Sequence, residues 1–309
     1  MTADAAAPKC PSAAGGVAHM LSFDVEEYFQ VEAAAAGGVR PEQWDSFEKR
    51  LAPCVECILQ ILSDHRASAT FFVLGWVGLH ERGLVRRISE AGHEIASHGM
   101  AHGMLHRLSP AEFRRELLDS RKLLEDITGK AVVGYRAPTF SITHRTAWAI
   151  DVLAEAGYQY DSSVFPVRHD RYGVPDAPRF AHRAVGPGGG NILELPPLTL
   201  RMGGVNLPVG GGGYFRLLPV RLVARGLNKA RKAGQPAMVY LHPWEFDPGQ
   251  PLLPMGRLGR WRHRVNLRRT EQKLRRLMAR HSFLSVDQSL SVLMAGTKET
   301  YAYGRPGQS

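Results

Sequence analysis

The chain has 309 residues, of which 44% are hydrophobic and 22% are charged, values that suit a folded soluble protein with a sizeable core. This composition excludes a chain that is disordered throughout and a collagen-like repeat, and three cysteines are too few for a disulfide scaffold. Residues 1–17 lack the continuous apolar region of a secretory signal, and no stretch reaches the roughly 18 apolar residues of a membrane span. The sequence therefore predicts a cytoplasmic protein, with a peripheral position at the inner membrane surface as an alternative.

The positive charge is concentrated near the C-terminus. The chain carries 39 Lys and Arg against 29 Asp and Glu, which gives a net charge of +10. Residues 256–280 hold ten of the basic residues and one acid, Glu271, so this segment contributes +9. A solvated helix face would explain the segment, and so would contact with an anionic membrane surface or the pyrophosphate of a lipid-linked glycan. Nucleic acid ranks last as a partner, because no recognised nucleic-acid motif accompanies the cluster.

Residues 1–17 are rich in Ala, Pro and Gly, which predicts a disordered arm. After this arm, short apolar runs alternate with longer amphipathic stretches. The runs predicted as strands are 19–23, 69–74, 93–97, 131–135, 158–161, 192–195, 237–241 and 283–286. The stretches predicted as helices are 47–65, 79–91, 110–128, 143–156 and 270–281. Gly-rich segments at 186–190 and 210–213 are predicted to be flexible loops. This alternation predicts an α/β protein with a parallel sheet or barrel.

Titratable side chains stand where several of the predicted strands end. In chain order they are Asp24, Glu26, Glu27, His98, His102, Arg136, Asp161 and His242. In a parallel barrel the C-terminal ends of all strands meet on one face, so these side chains are predicted to converge there.

Each of these signals has a plainer interpretation when it is taken alone. His98 and His102, four residues apart, suit two ligands of one cation, but two polar loop histidines would look the same. Arg136 and Asp161 would equally fit a structural ion pair. The single C-x-x-C at residues 54–57 lies in a predicted helix without a second pair, and we interpret it as two ordinary thiols. The ordered series as a whole favours a catalytic site.

Three elements of the series resemble the polysaccharide deacetylases of carbohydrate esterase family 4, over about residues 19–245. They are Ser-His-x3-His at 97–102, Arg-x-Pro at 136–138 and Leu-His-Pro at 241–243. The resemblance implies a distorted, incomplete (β/α) barrel of about seven parallel strands. It also implies one divalent metal ion, with zinc as the first choice and Co²⁺, Mn²⁺ or Ni²⁺ as alternatives.

Two further motifs are most similar to the subgroup encoded with exosortase-linked exopolysaccharide systems. They are Phe-Asp-Val-Glu-Glu-Tyr-Phe at 23–29 and Leu-His-Pro-Trp-Glu at 241–245. That subgroup carries a C-terminal extension. The resemblance therefore divides the chain into the arm at 1–17, a catalytic barrel at 18–245 and a basic extension at 246–309, packed on the barrel or following it.

The resemblance implies that Glu26, His98 and His102 are the metal ligands. In the family the second acid usually follows the first directly, whereas Val25 intervenes here. Some members have an Asp-x-Asp form, which favours Glu26. Glu27 remains a rival for the same role.

Catalytic roles carry over in the same way. Asp24 matches the general base that takes a proton from metal-bound water, and Arg136 matches the residue that orients this base. His242 matches the histidine that protonates the leaving amine, and Asp161 matches the acid that pairs with that histidine. Such a division suits amide hydrolysis, which needs both a base and an acid for the poor amine leaving group.

Thr139 stands where the family often has a Tyr whose backbone N–H helps to form the oxyanion hole, and we predict Thr139 and Trp244 to be substrate-binding residues. The resemblance thus implies a hydrolase that removes N-acetyl groups from amino sugars of an oligo- or polysaccharide, in exopolysaccharide biosynthesis or modification. Two alternatives stay open, a cyclic-amide hydrolase similar to allantoinase and a catalytically inactive glycan-binding protein. A fold alone does not decide between them.

Overall fold

Parallel strands and helices alternate along most of the chain in the computed structural model, which describes residues 17–169 and 171–304. The predicted disordered arm lies, apart from residue 17, outside the described residues. The strands are β1 (His19–Val25), β2 (Thr70–Val73), β3 (Glu94–Ser97), β4 (Gly134–Tyr135), β5 (Tyr160–Asp161), β6 (His182–Val185), β7 (Asn191–Glu194), β8 (Thr199–Met202), β9 (Val205–Pro208), β10 (Met238–Leu241), β11 (Phe283–Leu284) and β12 (Thr300–Ala302). The α-helices are α1 (Glu32–Ala36), α2 (Leu51–Asp64), α3 (Gly75–His80), α4 (Arg82–Glu90), α5 (Pro110–Thr128), α6 (Trp148–Glu155), α7 (Gly212–Leu217), α8 (Val220–Lys232), α9 (Arg257–Arg264), α10 (Thr270–Met278) and α11 (Val286–Gly296).

Seven strands of the described chain form one continuous parallel series in the main sheet, in the order β10, β1, β2, β3, β4, β5 and β7. β6 pairs antiparallel with β7, β12 extends the sheet beside β6, and β11 pairs with the start of β1. After β7 the chain reaches the opposite edge, where Pro197 pairs with Met238 and the Leu198 N–H donates to the Met238 carbonyl at 2.8 Å. The segment that follows β7 thus contacts β10 through isolated bridges and not through a regular pair of strands. The predicted α/β fold, a distorted and incomplete barrel, is confirmed.

Local signals decide where α5 begins and ends. Ser109 accepts a hydrogen bond from the Glu112 N–H, Glu112 accepts one from the Ser109 N–H, and Pro110 occupies the first turn. Gly129 ends the helix with a left-handed φ of 67°. The buried face of the helix, with Phe113, Leu117 and Leu124, packs into the main hydrophobic core.

The glycines at 210–213 are not the flexible loop that the sequence predicts. Gly212 begins α7, and Gly211 pairs with Tyr240 of β10. A Cβ atom at position 211 would lie 1.9 Å from the Tyr240 carbonyl oxygen, so only glycine allows this approach. The other glycine-rich segment, 186–190, does form the β6–β7 loop, and Asp151 accepts hydrogen bonds from the N–H groups of Gly188 and Gly190.

Residues beyond 245 join the same sheet and core. β11 pairs with β1, and Leu274 and Leu277 of α10 lie in the main hydrophobic core. The division into a barrel at 18–245 and an extension at 246–309 stays our proposal. No helix in the described part of the chain combines the length and the apolar character that a membrane span requires.

Candidate active site

A cavity of about 200 Å³ opens where the barrel strands end. The polar and aromatic residues that line it are Asp24, Glu26, Glu32, His98, His102, Thr139, Phe140, Tyr172, Tyr240, His242 and Trp244. Asp24 and Tyr240 belong to β1 and β10, and His98 directly follows β3. Five of the eight side chains predicted to converge, Asp24, Glu26, His98, His102 and His242, therefore line this cavity, whereas Glu27, Arg136 and Asp161 do not.

Glu26, His98 and His102 form the candidate metal site, because one potential ligand atom from each lies within 4.8 Å of the other two. The His98 ring donates from Nδ1 to the carbonyl of Arg136 at 2.8 Å, which leaves Nε2 as the ring's lone-pair atom. His102 has a left-handed backbone with a φ of 55°. The arrangement is typical of a site with two imidazoles and one carboxylate.

The electrostatics of these side chains fit a cation. Burial lowers the pKa of His98 to about 4, so the ring is neutral near pH 7, as a ligand must be. Burial would raise the pKa of Glu26, but the electrostatic interaction and hydrogen bond with His102, together with the nearby His242 and His98, outweigh it and lower that pKa to about 2. Glu26 Oε2 lies 2.7 Å from His102 Nε2 but makes no aligned hydrogen bond among the described residues. A buried carboxylate oxygen this close to an imidazole nitrogen fits two ligands of one cation.

Glu27, the rival for the third ligand position, faces away from the histidines. Its Oε1 accepts hydrogen bonds from the N–H groups of Arg50 at 2.8 Å and Leu51 at 3.0 Å, at the start of α2. Burial raises its pKa to about 7. The structure therefore places Glu26, and not Glu27, beside His98 and His102.

Arg136 holds Asp24 in place at the cavity floor. The guanidinium is fully buried, and its Nη1 donates to Asp24 Oδ1 at 2.5 Å and to Ser22 Oγ at 2.9 Å. Its remaining donors reach the hydroxyl and carbonyl oxygens of Ser162. Asp24 Oδ2 lies 3.8 Å from His242 Nε2. The predicted Arg136–Asp24 contact is thus present.

His242 pairs with a carboxylate that the sequence analysis did not assign. Its Nδ1 lies 2.7 Å from Glu245 Oε1, and Glu245 Oε2 accepts from Arg216 Nε at 2.6 Å. Arg216 also donates to the carbonyls of His263 and Val265, both at 2.9 Å. Burial would lower the pKa of His242, but the Glu245 hydrogen bond and the nearby carboxylates raise it to about 9.

The predicted pairing of Asp161 with His242 is therefore wrong. Asp161 lies at the end of β5, where it accepts a hydrogen bond from Ser163 and adjoins the buried Glu194. Burial raises the pKa of Asp161 to about 6, and burial together with the Asp161 charge raises that of Glu194. Glu245 lies close to His242 because it follows it by three residues, in the 3₁₀ turn Pro243–Phe246. The Pro at the first position and the Glu at the third were the available sequence signal.

Thr139 and Trp244, the two predicted substrate-binding residues, both line the cavity. Thr139 has a left-handed φ of 56°, a conformation that is uncommon outside glycine and concentrates at functional sites. The Trp244 Nε1–H donates to Glu26 Oε1 at 3.1 Å, and its ring stacks on His242 with a centroid distance of 5.0 Å. Trp244 thus contacts both the candidate metal site and the candidate acid.

Two family models match this chain. Residues 44–160 match the model described as polysaccharide deacetylase, and residues 162–291 match one described as a domain of unknown function, DUF3473. Residues 44–160 are therefore similar to polysaccharide deacetylases. The second match is consistent with the exopolysaccharide-associated subgroup of these deacetylases.

Curated relatives of this chain include a chitooligosaccharide deacetylase from Bradyrhizobium sp. (strain ANU 289). It is 35% identical over 101 residues, which are 33% of this chain and 44% of that protein. The peptidoglycan-N-acetylglucosamine deacetylase PgdA of Listeria monocytogenes is 32% identical over 103 residues, 30% of this chain and 22% of that protein. This chain therefore spans less than half the length of either relative.

A solved structure from Mycobacterium smegmatis, of a protein assigned as a polysaccharide deacetylase, shares the fold. It superposes with a TM-score of 0.61 at 20% identity and covers 97% of this chain and 99% of its own. The two family matches contribute different residues to the candidate site. The first contains both site histidines and Arg136, whereas the second contains His242 and Glu245.

Because Glu245 and not Asp161 contacts His242, the two carboxylates are expected to differ in a mutational test. Glu245→Gln removes the charge that orients the ring and should lower kcat roughly 10–100-fold with little change in KM. Asp161→Asn should stay near the wild-type rate, since Glu194 beside it is able to hold the single negative charge. Steady-state kinetics of both variants checks this. A large kcat loss in Asp161→Asn, with normal kinetics in Glu245→Gln, would show that Asp161 and not Glu245 is the acid that supports His242.

Proposed function

We propose that this chain is a metal-dependent hydrolase that removes N-acetyl groups from amino sugars of an oligo- or polysaccharide. The observation that carries the proposal is the convergence of the Glu26, His98 and His102 set with Asp24 and His242 on one cavity. The match to the polysaccharide deacetylase model supports the same reaction class.

Amide hydrolysis needs a strong nucleophile, a stabilised oxyanion and an acid for the leaving amine. Glu26, His98 and His102 would hold one divalent ion, for which we propose zinc, since two imidazoles and a carboxylate are a familiar catalytic zinc set. Such an ion supplies Lewis acidity, which polarises a carbonyl oxygen and lowers the pKa of a coordinated water towards about 7. The remaining proton transfers fall to residues of the chain.

Asp24 would act as the general base. Arg136 occupies its Oδ1, so that Oδ2 is the oxygen left to accept the proton of the attacking water. His242 would act as the general acid. Glu245 holds its Nδ1, and Nε2, which lies 3.7 Å from Glu26 Oε1, would donate a proton to the departing amine. The Thr139 backbone and the Trp244 ring would bind the acetylated sugar.

We further propose that the substrate belongs to exopolysaccharide biosynthesis or modification, on the resemblance of the motifs at 23–29 and 241–245 to the exosortase-linked subgroup. An anionic membrane surface or a lipid-linked glycan would then be a partner of the basic segment.

Acetate release from N-acetylglucosamine oligomers, measured with and without a chelator, tests the function. We expect acetate production that the chelator abolishes and that Zn²⁺, Co²⁺, Mn²⁺ or Ni²⁺ restores. The mass spectrum of the sugar product should show the loss of acetyl groups. Hydrolysis of allantoin without acetate release would favour the cyclic-amide alternative. Tight oligosaccharide binding with bound metal but no turnover would indicate an inactive glycan-binding protein.

A further inference from the structure

Helix α9 presents large apolar side chains to solvent. Leu258 is 60% exposed and Trp261 is 53% exposed, and residues three apart lie on one face of a helix. Leu252, in the segment that leads into α9, is 64% exposed. Grouped apolar side chains rimmed by polar residues mark protein-interaction or membrane-interaction sites.

The charged residues of α9 are all basic. Arg257, Arg260 and Arg262 are exposed in the same helix, and the sequence has no Asp or Glu between Asp247 and Glu271. Among the described residues, no acidic side chain forms an ion pair with any of the three arginines. Their charge is therefore available to an anionic partner.

The opposite face of α9 is anchored beside the catalytic cavity. The His263 ring stacks on Trp244 with a centroid distance of 4.4 Å, and Arg216 donates to the His263 carbonyl. Leu253 and Met255, just before α9, pack in the same apolar cluster as Trp244. The exposed face is thus held one side-chain layer away from the wall of the cavity.

We propose that the exposed face of α9, with Leu258, Trp261 and the three arginines, docks on the surface of an anionic lipid bilayer. A helix with Trp and Leu on one side and Arg around them lies in the interface between lipid headgroups and acyl chains. Nucleic acid would use the arginines but not the exposed Leu and Trp. Docking would hold the cavity close to sugars presented at a membrane surface. This inference rests on the membrane partner proposed above for the basic segment and narrows it to one helix face, but it does not depend on the deacetylation itself.

Co-sedimentation of the full chain with lipid vesicles tests the docking. We expect binding to vesicles that mix phosphatidylglycerol with phosphatidylcholine, and little binding to phosphatidylcholine alone. Replacing the three arginines, as Arg257→Gln, Arg260→Gln and Arg262→Gln together, should weaken the partition roughly 10–100-fold. The double change Leu258→Ser and Trp261→Ser should weaken it at least about tenfold, since both apolar anchors are lost.

A matched control lies on α8, where Arg221, Arg225 and Lys229 are also exposed. Changing these three to Gln removes the same charge and should leave vesicle binding near the wild-type level. All variants should keep the wild-type thermal midpoint and acetate release from soluble oligomers, which separates a failure of docking from a failure of the proposed function. Equal loss in the α8 control, or unchanged binding in both α9 variants, would overturn the proposal. So would α9-dependent binding to nucleic acid, or α9-dependent self-association, without vesicle binding.

Discussion

Replacing His98 or His102 by Ala is expected to remove most of the bound divalent metal and most of the acetate release together. Each change deletes a neutral imidazole from a set of three protein ligands. Because a bound ion contributes several kcal/mol of transition-state stabilisation, turnover should fall by roughly 10³-fold or more. Metal content by elemental analysis and turnover are to be measured on the same preparations.

Glu27→Gln is the matched control for this experiment. Glu27 adjoins Glu26 in the sequence, but its carboxylate caps the start of α2, and a Gln oxygen is able to accept the same two backbone hydrogen bonds. This variant should keep its metal and its activity. Glu26→Gln should lose affinity for the ion, since it replaces the ionised ligand. Stoichiometric zinc retained in both histidine variants would refute the site. Metal loss in Glu27→Gln alone would show that Glu27, and not Glu26, is the third metal ligand.

Asp24→Asn should keep the fold and the metal while turnover falls by roughly 10²–10⁴, the usual scale for removal of a positioned base. The Asn oxygen is still able to accept from Arg136, so the buried guanidinium does not lose its partner. The change removes the negative charge and replaces one carboxylate oxygen by an amide NH2, so the side chain no longer takes up a proton. Activity and metal content measured in parallel distinguish this outcome from a damaged site. A rate near the wild-type value would assign the base to another group.

His242→Ala complements that result at the other end of the reaction. If His242 protonates the leaving amine, its loss should be severe for a sugar amide and much smaller for an amide with an activated, weakly basic amine. The measurement is the ratio of the rate on the sugar amide to the rate on the activated amide, compared between wild type and His242→Ala. Equal losses on both substrates would mean that His242 is not the leaving-group acid.

Sequence patterns were sufficient where the signal is local. The Ser109–Glu112 capping box and the C-terminal Gly129 predict α5 at its observed bounds, because both act through backbone groups within one turn. The strand ends also predict the gathering of Asp24, His98 and His242. Parallel strands bring their C-terminal ends to one face whatever the details of packing.

Tertiary structure decided which of two neighbouring or competing side chains takes part. Glu26 and Glu27 are adjacent and chemically identical, and the choice follows from the N–H groups of Arg50 and Leu51, over twenty residues away, which bind Glu27. Glu245 takes the place expected for Asp161 because the buried Arg216 fixes its second oxygen. Arg216 in turn depends on glycines that allow α7 to approach β10. The contacts of Glu27 with Arg50 and Leu51, and of Glu245 with Arg216, join distant segments, so no local pattern in the sequence encodes them.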